Sequence, residues 1–265
     1  MVRRIDINAD LGEGYDTDAA ILDIVSSANI ACGFHAGDAA TMRSVCRVAA
    51  EKNVAVGAHP SFDDLGNFGR TVIRMSSGEL ESLIAYQIGL LQEAAGESGV
   101  RLAHVKPHGA LYNVASVEED YALAIARAIR AVDPGLIYVG FAGSLMRAAA
   151  DKTGLAFAAE AFPDRPYTDD GQLVERTSPL SVITNPEDVA QRVTRMVESG
   201  EVVSVSGKVI RLDFDTLCVH GDEPTAVMVG RAVRRAVEDA GAEVAPLGAV
   251  LADKPSDDGT ARVSA

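Results

Sequence analysis

Short apolar runs alternate with longer amphipathic segments almost from one end of the chain to the other. The runs cover residues 4–11, 28–34, 54–59, 101–106, 136–141, 155–162 and 216–220, which gives seven candidate strands. The stretches between them carry helix start signals. Asp38 can cap a helix reaching about Lys52, and Ser76-Ser77-Gly78-Glu79 offers a capping box ahead of residues 80–97. Asn185-Pro186-Glu187-Asp188 supplies a cap, a first-turn proline and an acidic third residue for a helix ending near Gly200. A last helix runs from about Pro224 to Ala240 and stops at Gly241.

Strand followed by helix, repeated, implies right-handed βαβ units and a parallel sheet, either open or closed into a barrel. The polar positions decide between the two. Side chains alternate along a strand, so Asp6, Asn8 and Asp10 share one face, as do His104, Lys106 and His108. Open α/β sheets are covered on both faces and read almost wholly apolar. Polar faces on several strands therefore predict an α/β fold of the seven-stranded parallel β/α barrel type, with a lumen that opens as a site. The region 162–212 breaks the rhythm with a turn at Asp169-Asp170-Gly171-Gln172, the capped helix, and a hairpin around Ser206-Gly207. It reads as an elaborated loop over the barrel mouth rather than a second domain. Residues 1–251 are then one barrel domain, and residues 252–265 read as a flexible tail.

The 265 residues would accommodate two average domains, but a single barrel also reaches this size. A hydrophobic fraction of 48% against 23% charged suits a large core and excludes a disordered chain. The net charge of −14 argues against nucleic acid or an anionic membrane as main partner. No stretch of 18 apolar residues occurs, and Met1-Val2-Arg3-Arg4 leads into Asp6 and Asp10 rather than a signal-peptide core, which predicts a soluble cytoplasmic protein. Cys32, Cys46 and Cys218 form no CxxC pair, as expected in a reducing compartment, and make a thiolate zinc site improbable.

All five histidines, His35, His59, His104, His108 and His220, fall at or near C-terminal ends of proposed strands, where parallel α/β architectures collect their chemistry. Carboxylates accompany them: Asp10 and Glu13, Asp38, Glu160 and Asp164, and Asp222. In His104-Val105-Lys106-Pro107-His108, burial and mutual repulsion should depress the lysine and histidine pKa values unless carboxylates lie opposite. Such a group serves as a base or an electrostatic clamp; the plainer alternative is a buried ion pair of Lys106 with Asp10 or Glu160. Asp10, His35 and His59 supply oxygen and nitrogen donors for zinc or another divalent ion, and serve equally as a metal-free acid/base array. Asp164-Arg165 and Arg176 would bind a substrate carboxylate, or else pair on the surface of their loop. Neither GxGxxG nor GxxxxGK[ST] is present, so no nucleotide cradle is recognisable.

Asn8-Ala9-Asp10-Leu11-Gly12-Glu13-Gly14, Ala28-Asn29-Ile30-Ala31-Cys32-Gly33-Phe34-His35-Ala36-Gly37-Asp38, Gly57-Ala58-His59-Pro60 and His104-Val105-Lys106-Pro107-His108-Gly109-Ala110-Leu111-Tyr112-Asn113 resemble the LamB/YcsF family. Glu160-Ala161-Phe162 with Asp164-Arg165, and Cys218-Val219-His220-Gly221-Asp222, continue the likeness, in order, from about Ile5 to Leu247. Asp63 and Thr71 depart from the family pattern, in the loop after the third strand only. The resemblance implies a barrel related to glycoside hydrolase and deacetylase folds. It also implies ATP-dependent opening of the 5-oxoproline lactam to L-glutamate, with Mg accompanying the ATP, together with two partner subunits, B and C. On that reading Asp10 or Glu160 acts as general base or metal-held carboxylate. His59, Lys106 and His108 stabilise charge on the carbonyl or phosphoryl group, and His220 with Asp222 transfers protons. Asn8, Glu13, His35, Asp38, Asp164, Arg165 and Arg176 would contact substrate. Two other readings are a metal-dependent deacetylase-like hydrolase and a non-catalytic subunit that binds the substrate.

Overall fold

The structure, a computed structural model, describes residues 2–176, 178–221 and 225–254. Asp222, the start of the last helix at Pro224, and residues 255–265 of the expected tail therefore lie outside the described residues. In chain order the first half contains β1 (Arg4–Leu11), α1 (Asp18–Ile21), β2 (Ser27–Ala31), α2 (Ala39–Glu51), β3 (Ala55–His59), α3 (Ser77–Glu97), β4 (His104–Val105), α4 (Gly109–Val117) and α5 (Glu119–Val132). There follow β5 (Ile137–Phe141), α6 (Leu145–Thr153), β6 (Phe157–Ala161), α7 (Pro186–Ser199), β7 (Glu201–Val203) and β8 (Val209–Arg211). The last elements are β9 (Thr216–Val219), α8 (Ala226–Asp239), β10 (Glu243–Val244) and α9 (Leu247–Ala252).

β1 to β6 pair in sequence order, all in parallel, and β9 pairs with both β6 and β1. That last contact closes a seven-stranded barrel, as the polar strand faces predict. β10 adds a short parallel flank to the start of β1, through Arg4↔Glu243 and Ile5↔Val244. Among the described residues no helix is long and apolar enough to cross a membrane.

Alternation along β1 sorts the two environments. Ile5, Ile7, Ala9 and Leu11 pack in the core between strands and helices, while Asp6, Asn8 and Asp10 belong to the polar network inside the ring. The helices begin where the chain signals them. Asp38 Oδ1 accepts from Thr41 N (2.7 Å), Ser76 and Glu79 form a reciprocal capping box, and Asn185 Oδ1 accepts from Glu187 N (2.8 Å). α4 and α5 carry no such signal, because His108 and Glu118 occupy their caps without side-chain hydrogen bonds. β4 is only two residues long: Pro107 has no N–H to extend the ladder, and His108 sits just beyond it as the N-cap of α4.

Within the irregular region 162–212, α7 is a regular member of the helical ring. Its apolar stripe of Val189, Val193, Met196 and Val197 is buried, and it packs against α8. The elaboration over the mouth is the loop between β6 and α7. The antiparallel β7–β8 hairpin, with Val202 opposite Ile210, ties back to that loop where Ser204 and Ser206 donate to Asp169 Oδ1 (both 2.6 Å). At the other end of the sequence, Ala252 closes α9, and Lys254 forms an ion pair with Asp215 (2.7 Å).

The lumen is filled in layers. Lowest is Asp6, whose Oδ1 accepts from Ser26 and Ser27 (2.7 and 2.6 Å) and whose Oδ2 accepts from Thr216 (2.6 Å). Burial outweighs these three hydroxyls and pushes the Asp6 carboxyl up to about 6. Above it, Asn8 donates to Glu160 Oε1 (3.0 Å) and accepts from Asn29 (2.7 Å), while His104 Nε2 meets Asn29 Oδ1 (2.7 Å). Burial drives the His104 pKa down to about 3, so its ring is neutral and Nε2–H is the donor. The imidazole fits only because its neighbour on β3 is Gly57, where a Cβ would lie 2.2 Å from the ring.

Two outcomes follow for stability. A carboxyl whose folded pKa lies above its unfolded value contributes stability at low pH that is lost as pH rises through about 6. Asp6→Asn removes that titration. Urea denaturation from about pH 4 to 7 should show the stability difference moving in favour of the variant, by up to about 3 kcal/mol. Parallel profiles for the two proteins would count against an ionisable floor. Gly57→Ala should lower stability by about 1–3 kcal/mol through the clash with His104, measured by thermal or urea unfolding. An unchanged midpoint would contradict the close approach.

Candidate functional site

At the mouth of the barrel the strand ends converge on the Lys106 ammonium. Its Nζ lies 2.8 Å from Glu160 Oε1 and 2.9 Å from Asp10 Oδ1, with Cys218 Sγ at 3.2 Å and Asn8 Oδ1 at 3.3 Å. Burial disfavours the charged amine, but Asp10, Cys218 and Glu160 outweigh it and hold the pKa well above the usual lysine value. The carboxylates that would reverse a downward shift are thus in place. Lys106 is a fixed cation and has no spare lone pair with which to act as a base. Burial likewise opposes ionisation of Asp10, and the charges of His59 and Lys106 override it to keep that carboxyl well below its usual range. Glu160 is fully buried, and Tyr112 Oη donates to its second oxygen (2.7 Å).

Beside this network lies a second cluster. Glu13 Oε1 is 3.0 Å from His35 Nε2, 3.3 Å from His108 Nδ1 and 3.8 Å from His59 Nε2. Burial raises the Glu13 pKa, but bonds with His108 and His35 more than compensate and bring it to about 2. Burial lowers His35 to about 4. The rings of His35 and His108 stack, with centroids 3.7 Å apart and planes at 7°. The donor atoms of Glu13, His35, His59 and His108 lie within 4.8 Å of one another, a set able to hold a metal ion. Asp10 is not part of it: its Oδ1 is engaged by Lys106 and Asn29, and its Oδ2 reaches His59 Nε2 at 3.4 Å. The converging set thus contains His35 and His59 from the expected trio, with Glu13 and His108 in addition.

A cavity of about 560 Å³ opens above both clusters, and Asp10, His59, Lys106, His108, Phe162, Arg165, Arg176 and His220 are among its lining residues. His220 Nδ1 lies 2.7 Å from Asp164 Oδ2. Burial raises the Asp164 pKa, while His220 lowers it further, so the carboxyl is ionised and takes the Nδ1–H bond. Phe162 forms an apolar wall, stacked on His220 with centroids 5.9 Å apart and 5.7 Å from Lys106 Nζ. Arg165 spends its Nε and Nη2 on the carbonyls of Ser181 and Val174 (both 2.6 Å), which pins the mouth loop; burial lowers its pKa to about 10.

The residues expected from the chain thus fall in different places. Asp10, Glu13, His35, His59, Lys106, His108 and Glu160 meet at the mouth, and Arg165, Arg176 and His220 line the same cavity, with Asp164 behind His220. Asn8 lies deeper, in the lumen network. Asp38 is exposed and serves as the cap of α2, so it stands apart from the site. The acidic partner of His220 among the described residues is Asp164; Asp222, the partner expected from sequence adjacency, is outside them. Tyr112, Cys218 and Asn29 also touch the network and carry no individual sequence signal. For Tyr112 the available clue is spacing, four residues after His108 and one helical turn into α4.

The profile of the LamB/YcsF family matches residues 5–252. The 5-oxoprolinase A-subunit of Nitrobacter hamburgensis is 50% identical over 248 residues, covering 91% of this chain and 97% of that protein. The crystal structure of a lactam utilization protein from Thermus thermophilus superposes with a TM-score of 0.86 at 45% identity, covering 91% of this chain and 99% of that one. A deacetylase, T48, solved with substrate, has a TM-score of 0.54 at 12% identity, covering 96% and 93% of the two chains, and shows a shared barrel fold alone. The chain is a member of the LamB/YcsF family.

Proposed function

We propose that this chain is the ring-opening component of an ATP-dependent 5-oxoprolinase, working with partner subunits B and C to convert 5-oxo-L-proline to L-glutamate. The name of its 50% identical relative supports this reading. The observation that carries it is the pairing, around one cavity, of a permanently charged Lys106 with the His220–Asp164 couple. In the net reaction the ring C–N bond breaks, one water supplies a hydroxyl to the carbonyl carbon and a proton to the nitrogen, and a second water is consumed as ATP becomes ADP and phosphate. A five-membered lactam is a stable amide, so transfer of phosphate from ATP to its carbonyl oxygen, with loss of ADP, opens the carbonyl carbon to water; the ring nitrogen then leaves with a proton, and a second water releases phosphate from the resulting acyl phosphate.

Each residue has a part in this scheme. Lys106 stabilises negative charge on the carbonyl or phosphoryl oxygen, and Glu160 and Tyr112 hold it in place from the closed side. Asp10, kept ionised at the cavity edge, orients the attacking water. His220, its Nδ1–H held by Asp164, takes a proton from the attacking water and passes it to the leaving ring nitrogen. Arg176 and the loop pinned by Arg165 form the rim that meets the substrate carboxylate. ATP enters with Mg²⁺; the chain lacks a phosphate-loop motif, so mixing experiments decide whether this barrel or a partner delivers the phosphate. Residues 1–251 act as one barrel domain in this scheme. ATP as co-substrate, with three buried free cysteines, supports a cytoplasmic setting.

A second reading, a metal-dependent hydrolase of N-acyl sugars, has the Glu13–histidine cluster in its favour. ATP-independent release of acetate by the purified chain would establish it over the first. The first expects turnover of 5-oxoproline by the three-component mixture only when ATP is present, and complete failure of that mixture would refute it. Within the mixture, His220→Gln should lower kcat by about 10²–10⁴-fold and Lys106→Met by about 10²–10³-fold. Lys106→Met also leaves two buried carboxylates without their cation, so His220→Gln is the cleaner measurement. Rates unchanged in both variants would remove these roles.

A further inference from the structure

We infer that Glu13, His35, His59 and His108 form a binding site for one divalent transition-metal ion of the zinc type, whose exposed side faces the cavity. The hydrogen bonds at the rear of two rings carry the inference. His59 Nδ1 lies 2.7 Å from the carbonyl oxygen of Lys106, and His108 Nε2 lies 2.8 Å from that of Phe68. A carbonyl only accepts, so both of those nitrogens carry the hydrogen. When neither ring holds a second proton, His59 Nε2 and His108 Nδ1 are bare lone pairs, and they face each other at 3.1 Å. Glu13 Oε1, another acceptor, lies 3.3 Å from one and 3.8 Å from the other. Three acceptors turned toward one point repel unless a positive charge sits among them, either a proton shared with Glu13 or a metal ion that displaces it.

His35 completes the set. Its Nε2 is 3.0 Å from Glu13 Oε1, and its Nδ1 is buried without a hydrogen-bond partner, so nothing behind the ring fixes which nitrogen holds the hydrogen. Nε2 is therefore able to offer its lone pair, and a modest tilt of the His35 ring away from its stacked, parallel neighbour His108 turns both lone pairs onto one ion. Zinc bonds of about 2.0–2.1 Å in tetrahedral geometry place donor atoms roughly 3.3–3.4 Å apart; four of the six separations here run from 3.0 to 3.8 Å, and all lie within 4.8 Å. Three imidazoles and one carboxylate favour borderline ions such as zinc, cobalt or iron over magnesium or calcium, which prefer oxygen donors. Backbone carbonyls behind His59 and His108 supply the outer contacts that orient metal-binding histidines. Gly69 lets the loop close over the stacked rings, since a Cβ there would lie 2.8 Å from His108 and 2.9 Å from His35. His59 and His108 also line the cavity, so a carbonyl, carboxylate or water oxygen reaches the ion from that side.

The donor geometry supports the site whatever the substrate, and the test is correspondingly made on the full chain without turnover. The chain is expressed without a histidine tag, stripped with a chelator and titrated with Zn²⁺, Co²⁺ and Mg²⁺, with metal content read by mass spectrometry. One equivalent of Zn²⁺ or Co²⁺ should bind, cobalt should show visible ligand-field absorption, and Mg²⁺ should not compete. Glu13→Gln and His35→Asn, each checked for fold by circular dichroism, should lower Zn²⁺ affinity by more than the roughly 10–100-fold typical of losing an outer contact. Absence of saturable binding to the wild-type chain overturns the site without touching the 5-oxoprolinase reading. Binding that survives in both variants places the metal elsewhere and overturns it equally.

Discussion

Enclosing the Lys106 ammonium in a barrel lumen would cost several kcal/mol if it stood alone, because the ion gives up its hydration. Its position is tenable only because Asp10 and Glu160 reach it from β1 and β6, strands far apart along the chain. Closure of the ring by β9 brings those strands around to a common centre. The ion triplet and the barrel thus require each other. Open sheet topology would leave the two carboxylates too far apart to share one cation.

That requirement reaches down the lumen. Lys106 is fully occupied near the mouth, so it offers nothing to Asp6 at the floor, and the floor is satisfied by hydroxyls instead. Three neutral donors do not match a cation, which is why burial prevails there and the Asp6 carboxyl titrates high, while that of Asp10 titrates low. Asn8 and Asn29 stand between the two regimes. An amide both donates and accepts, so it can face a carboxylate on one side and an ammonium or imidazole on the other without adding charge.

Much of this is legible in the chain. Period-two alternation along residues 4–11 and the polar positions 104, 106 and 108 are enough to argue for a lumen, and the strand-end histidines for a mouth. What sequence does not supply is pairing across distant segments. The loop after β6 folds back to offer Asp164 to His220, a pairing across 56 positions that no local pattern announces. Asp38 follows His35 closely and reads as a site residue, yet its geometry is that of a helix cap. Glu13 reads as a substrate contact, and only the curl of the chain after β1, with Gly12 at φ 75° and Gly14 at φ 90°, carries its carboxylate to the three imidazoles.

Asp10 joins the two halves of the mouth. One of its oxygens holds Lys106, and the other lies 3.4 Å from His59 in the neighbouring cluster. Positive charge gained among the imidazoles therefore draws on the same carboxylate that keeps the lysine charged. Glu160 prevents that competition from releasing the ammonium, because it is fully buried and bonded by Tyr112 and Asn8 rather than by the histidines of the cluster. Two carboxylates around one lysine are thus not redundant: Glu160 anchors the cation, and Asp10 remains able to answer what enters the cavity. A barrel with Lys106 and Asp10 alone would loosen its central cation whenever the histidine cluster changed its charge.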